Sequence, residues 1–171
     1  MEKYLFREYD AAYQKFFNQE EGQLRQALGT PAHIEHVGST AILGLGGKGV
    51  VDVLVGVDNL ENAKNLLERA GYEFRETAST SQRFFFRRDY LDENSTRRVH
   101  LHVTHYGSQD WQEMLAFRDW LRKYPEEVAS YAELKRIGIE KAKGDGETYR
   151  KHKEEYIQTI TKRALHSLLD T

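Results

Sequence analysis

The chain has no cysteine, no repeat, no low-complexity tract and no apolar run that approaches a membrane span. Without cysteine there is no disulfide, no thiolate zinc site and no Cys nucleophile, which fits a reducing compartment. Basic and acidic residues number 25 and 27, a formal net charge of −2, so no global field is available to hold nucleic acid or an anionic membrane. Any anion site must be local, and no extended nucleic-acid surface is expected. The opening "MEKYLFREYDAAYQKFF" is charged every few residues, and a span would need roughly 18 apolar residues. These absences describe a soluble cytoplasmic protein with no membrane partner. The 171 residues, 39% of them hydrophobic, suit one domain over 1–171 with a core of its own.

Residues 2–28 place Leu5, Tyr9, Ala12, Tyr13, Phe16 and Phe17 at helical spacing, which predicts a first helix ended by Gly29 and Pro31, with a break near Gly22. "HIEHV" (33–37) and "VVDVLVGV" (50–57) read as strands of a largely buried sheet. Asp58 is expected to cap the next helix, with Gly71 at its end. "RFFFR" (83–87) and "RRVHLHVT" (97–104) follow as two strands joined by a long polar loop. Beyond Ser108 the chain reads as three helices, the second opened by Pro125 and the third set off by "GDG" at 144–146. The order predicts an α+β fold with a short mixed sheet, helices on it and a helical C-terminal third.

Strand alternation puts Val50, Asp52 and Leu54 on one face, opposite Val51, Val53 and Val55. It also gathers Arg98, His100, His102 and Thr104 opposite Val99, Leu101 and Val103. A half-buried strand with a solvated face gives the same pattern, so His100 and His102 are either surface residues or ligands for a metal or a phosphate. The segment "GSTAILGLGGKG" between the first two strands matches neither G-x-G-x-x-G nor a Walker A sequence. Its glycines either serve turns or let backbone N–H groups converge on an anion, with Gly38, Ser39, Thr40 and Lys48 as donors. In each of the last three helices a cation interrupts the apolar stripe: Arg118, Lys135 and Lys153. Such side chains either lie along apolar surface with their heads in water or, with Arg83 and Arg87, converge on a polyphosphate.

"IEHVGSTAILGLGGKGVVDVLVGV", then "GYEF", "HLHVTHYGSQDW", "FRDWLRKYP", "YAELK" and the closing "Y..HKEEYI" resemble, in order and over nearly the whole chain, the segments of the GrpB family of uncharacterised bacterial proteins. The pair Gly38-Ser39 ahead of a strand aspartate also resembles the wider nucleotidyltransferase superfamily. The resemblance implies a nucleotidyltransferase-like fold, with Gly38 and Ser39 at nucleotide phosphates and Asp52 as a metal-binding carboxylate for Mg²⁺. Active members of that superfamily use two or three carboxylates to hold two divalent cations while a nucleophile displaces pyrophosphate. Here the second acid is absent, since position 54 is leucine, and His100 and His102 stand near the place of the third. Leu43 and Gly49 replace prolines of the usual GrpB loop, which leaves the empty loop more flexible.

Three functions follow as expectations. An Mg²⁺-dependent nucleotidyltransferase would use Asp52 as metal ligand, Glu35, His100 or His102 in place of the missing acids, and His36, His100 or His102 as general base. A binding module would keep only the site for a nucleotide or other phosphorylated small molecule. The resemblance includes domains fused to dephospho-coenzyme A kinase, which brings coenzyme A into that class. A third possibility is a fold retained for protein association.

Overall fold

The computed structural model describes residues 5–29, 32–92 and 95–169. The element order is α1 (Ala12–Leu28), β1 (His33–Val37), a 3₁₀ turn (Ser39–Ala41), β2 (Val51–Val57), α2 (Leu60–Arg69), β3 (Glu73–Phe74), a second 3₁₀ turn (Glu76–Ala78), β4 (Arg83–Asp92), β5 (Ser95–His105), α3 (Gln109–Lys123), α4 (Pro125–Ala142) and α5 (Gly146–Leu169). The five strands form one mixed sheet in the order β1-β2-β5-β4-β3. β2 and β5 run parallel, while β1–β2, β4–β5 and β3–β4 are antiparallel. Helices α3, α4 and α5 make up the C-terminal third. Among the described residues no helix is long and apolar enough to cross a membrane.

One face of the sheet carries the main core. Val51, Val53 and Val55 of β2, Val99, Leu101 and Val103 of β5, and Phe84 and Phe86 of β4 pack with Phe17 and Leu24 of α1 and Leu60, Ala63 and Leu67 of α2. Period-2 alternation therefore turns every second residue of the central strands to the other face, which α3 only partly covers. There Trp111 of α3 packs on Val37 and Leu54. A further cluster joins the glycine-rich loop to the helices, with Ile42 and Leu45 against Leu121, Val128 and Tyr131.

The first helix begins at Ala12, not at residue 2. Asp10 accepts the Ala12 N–H at 2.8 Å, and upstream Arg7 pairs its backbone with Gly47 instead. Apolar spacing misled because Leu5 is exposed and Phe6 packs outside the helix, against Ile139, Ala142 and Tyr149. Gly22 does not break the helix, since intrahelical hydrogen bonds continue through it. Pro31, expected to end this segment, lies outside the described residues. The cap of α2 is Asn59 rather than Asp58: its side chain accepts the Asn62 N–H at 2.8 Å. The polar segment between β4 and β5 is mostly ladder, paired in register from Arg83–Thr104 out to Asp92–Ser95. Glu93 and Asn94 lie outside the described residues.

Candidate functional site

In the parallel ladder Asp52 is paired with His100 and Leu54 with His102, which brings the aspartate and both imidazoles to one face of the sheet. Asp52 Oδ1 lies 3.5 Å from His100 Nδ1 and 3.3 Å from His102 Nε2. Burial opposes ionisation of Asp52, but the hydrogen bonds and charge of the two histidines outweigh it and hold the carboxyl well below the usual carboxylate range. Phe85 of β4 sets the pair sideways, its ring meeting the two imidazoles edge-on at 4.9 and 5.2 Å.

The glycine-rich loop closes over this face through two tight approaches. Gly38 has φ 71°, and a Cβ there would lie 2.5 Å from Asp52 Oδ2, so only glycine lets the backbone come this near the carboxylate. A Cβ on Gly47 would lie 2.5 Å from Lys135 Nζ and 2.9 Å from Ser39 Oγ. Lys135 reaches under the loop from α4 and donates to the Gly46 carbonyl at 2.5 Å.

Two more lysines join it. Lys48 from the loop and Lys153 from α5 sit over the Tyr149 ring, 4.6 and 4.3 Å from its centroid. Burial, then the neighbouring positive charges, push Lys135 down to about 7 and Lys48 down to about 8, with Asp52 opposing. Burial lowers Lys153 as well. These three ammonium groups border a cleft of about 410 Å³ that Gly38, Ser39, Asp52, Arg83, His100 and His102 also line. Arg83 is anchored beside it by Asp110 in the first turn of α3, at 3.1 Å.

The cleft thus gathers Gly38, Ser39, Lys48, Asp52, Arg83, His100, His102, Lys135 and Lys153 of the residues singled out in the sequence. Thr40 is outside it: it is buried, its hydroxyl 2.9 Å from His36 Nε2 on the core side. His36 stacks on Phe17 at 4.6 Å, where burial pushes it down to about 4, and this place on the core side removes it as a base for the cleft. Glu35 shares the cleft's side of β1 but is bound by Arg118 at 2.6 Å. Arg118, which also donates to the His36 carbonyl at 3.1 Å and to Asp119 at 2.8 Å, is the one helix cation of the three that does not converge on the cleft. Arg87 lines an adjoining hollow.

Tyr131, Tyr149 and Glu113 line the cleft without having been singled out. The tyrosines read as apolar stripe, yet Tyr131–Lys135 and Tyr149–Lys153 repeat one i, i+4 spacing on two helices, a signal that could have found them. The lysine ammoniums lie 5.3 and 4.3 Å from those ring centroids.

A divalent cation does not fit the donors as they stand. Mg²⁺ wants oxygen ligands, whereas Asp52 Oδ1 is already engaged by two imidazoles. Position 54, where the resemblance to nucleotidyltransferases would put a second acid, is Leu54, fully buried under Trp111. Among the described residues no group of three His, Cys, Asp or Glu side chains is disposed to hold a metal.

Comparison with known proteins gives this architecture a lineage. A UPF0157 protein of Pseudomonas aeruginosa is 36% identical over 160 residues, covering 91% of this chain and 65% of that one. The crystal structure of the conserved protein GrpB from Enterococcus faecalis superposes with a TM-score of 0.84 at 29% identity, over 96% of this chain and 99% of that one. A dephospho-CoA kinase of Mycolicibacterium paratuberculosis is 29% identical over 182 residues, covering 92% of this chain and 44% of that one. The family model described as GrpB protein matches residues 5–163, and the chain belongs to the GrpB family.

Proposed function

We propose that the cleft binds a phosphorylated small molecule of the nucleotide or coenzyme A class. One observation carries this reading: Lys48, Lys135 and Lys153 converge on a single hollow, and burial together with neighbouring positive charge depresses Lys48 and Lys135. A phosphate in the cleft would add negative charge beside these ammonium groups, and strongly perturbed groups facing a cleft mark a binding site. Ser39 and the backbone of the glycine loop add donors on the same wall. The partial match to a dephospho-CoA kinase and the resemblance to nucleotidyltransferases point to the same ligand class.

The test is calorimetry and thermal shift with nucleotides and coenzyme A, each with and without Mg²⁺. Lys153→Ala should weaken the ligand that binds by about 1–3 kcal/mol, the scale of a charge-assisted contact. If no phosphorylated compound raises the melting temperature, the reading fails.

A second reading, nucleotidyl transfer, is favoured by Asp52, which stays ionised on the cleft wall. It requires that a nucleoside triphosphate bring the missing oxygen ligands with Mg²⁺. Release of pyrophosphate that vanishes in Asp52→Asn would support it, and its absence with every nucleoside triphosphate leaves the protein a binder.

A further inference from the structure

Beside the cleft lies a second hollow of about 280 Å³ that shares Lys48, Val50 and His100 with it. Arg7, Arg75, Arg87 and Arg98 also line it, and among the described residues no carboxylate does. Register explains the convergence: Arg87 is paired with His100, and Arg98 with Asp89 two residues along, so the groove continues the cleft's own face of the sheet. Arg7 arrives from outside the sheet, held by the backbone bridge to Gly47 at 2.7 and 2.9 Å. Arg75 arrives from the turn after β3.

Two carboxylates stand behind these five cations. Asp89 accepts from Arg98 Nε and Nη2 at 2.8 and 3.0 Å and from Arg87 as well. Glu73 pairs with Arg75 at 2.7 Å. Each guanidinium has five N–H donors in a planar fork, so such a pairing orients the group and leaves donors for the groove. The result is a positively charged hollow that opens next to an already cationic cleft, with Lys48 as their common wall.

We infer that this groove holds a second anionic group, a phosphate or pyrophosphate, adjacent to the one bound among the three lysines. The inference rests on the proposed reading of the cleft for its first phosphate. A ligand with two separated phosphates, of the nucleoside 3′,5′-bisphosphate class, fills both hollows with one molecule. A separate phosphorylated reaction partner meets the same chemistry.

The experiment compares AMP, adenosine 3′,5′-bisphosphate and pyrophosphate by calorimetry on the full chain, with the double variant Arg7→Ala/Arg75→Ala, whose residues touch only the groove. The expected result is that wild type binds the bisphosphate about tenfold or more tighter than AMP, the scale of one charge-assisted pair, and that the variant loses this advantage with AMP affinity unchanged. Should the second group belong to a separate molecule, pyrophosphate binds the AMP-saturated protein and the variant loses that binding. The inference is overturned if the variant weakens AMP as much as the bisphosphate, or if it changes neither bisphosphate nor pyrophosphate binding. If AMP does not bind wild type, the cleft reading fails by itself. Pyrophosphate then decides the groove: binding lost in the variant supports it, and binding unchanged or absent overturns it.

Discussion

The two faces of the sheet come from the same strands, residue by residue in turn, and they have been put to opposite use. Under α1 and α2 the alternate positions of β2, β5 and β4 are aliphatic or phenylalanine and form the main core. One position over, the same strands carry Asp52, His100, His102, Arg98, Arg87 and Arg83, with Phe85 against the imidazoles and Leu54 beneath Trp111 given to packing. A core position is fixed by volume and apolarity, whereas a position on the site face is fixed by what it must neutralise. Leu54 marks where the first rule spreads into the second: α3 docks on the position that would hold the second acid. An aspartate there would be buried against an indole and two aliphatic side chains.

This contrast can be broken at three points. Phe86→Ala should cost about 3–5 kcal/mol in urea unfolding, as expected for a fully buried ring, while the folded fraction binds its ligand with unaltered affinity. A change in affinity would mean that the two faces are coupled.

Lys135→Met tests the site face through pH. Its folded-state pKa of about 7 lies below the ordinary lysine value of 10.5, so between those pH values the unfolded chain binds the extra proton and stability rises with pH. The buried charge costs most below pH 7. Wild type should gain about 3 kcal/mol between pH 6 and pH 9 from this group, given about 1.4 kcal/mol per pH unit above the folded pKa. The methionine variant should be more stable at pH 6 and should lose most of the slope, with Lys48 supplying a smaller remainder of the same sign. A slope unaltered by the substitution would place the titration elsewhere. An anionic ligand raises these pKa values again, so its binding at pH 8 should take up protons, which calorimetry in two buffers of different ionisation enthalpy measures.

Ser108→Ala acts where the site strand hands over to the covering helix. Its hydroxyl caps α3 at the Trp111 N–H and sits 2.9 Å from Thr104 Oγ1. The expected loss is about 1 kcal/mol in thermal unfolding, the usual worth of an N-cap. No loss would mean that packing and ion pairs hold α3 without its cap.

Much of this was legible in the sequence where a rule concerned period alone. The alternation of β2 and β5 separates the core from the cleft as expected, and His100 and His102 fall beside Asp52. Periodicity failed at Leu5 and Phe6, because it measures apolar spacing and cannot register that Arg7 finds its hydrogen bonds on Gly47. It failed for Arg118 as well, since three cations at matching helical positions look alike until Glu35 is seen to claim one of them. The arginine groove was out of reach for a further reason: Arg7, Arg75, Arg87 and Arg98 come from four separate segments, and the pairing of β4 with β5 and β3 and the Arg7–Gly47 bridge bring them together.

The missing Cβ atoms of Gly38 and Gly47 set unequal limits on how this chain can vary. Each glycine stands against the charged end of a cleft residue, the Asp52 carboxylate in one case and the Lys135 ammonium in the other, whereas a Cβ on Gly44 would meet nothing within 4 Å. Within one short loop, then, a sequence drifting under selection for folding alone is free to refill Gly44 with a residue that accepts a left-handed turn. At 38 and 47 the same drift would displace the charges themselves, so among the glycines of one loop these two are tied to the site and Gly44 is not.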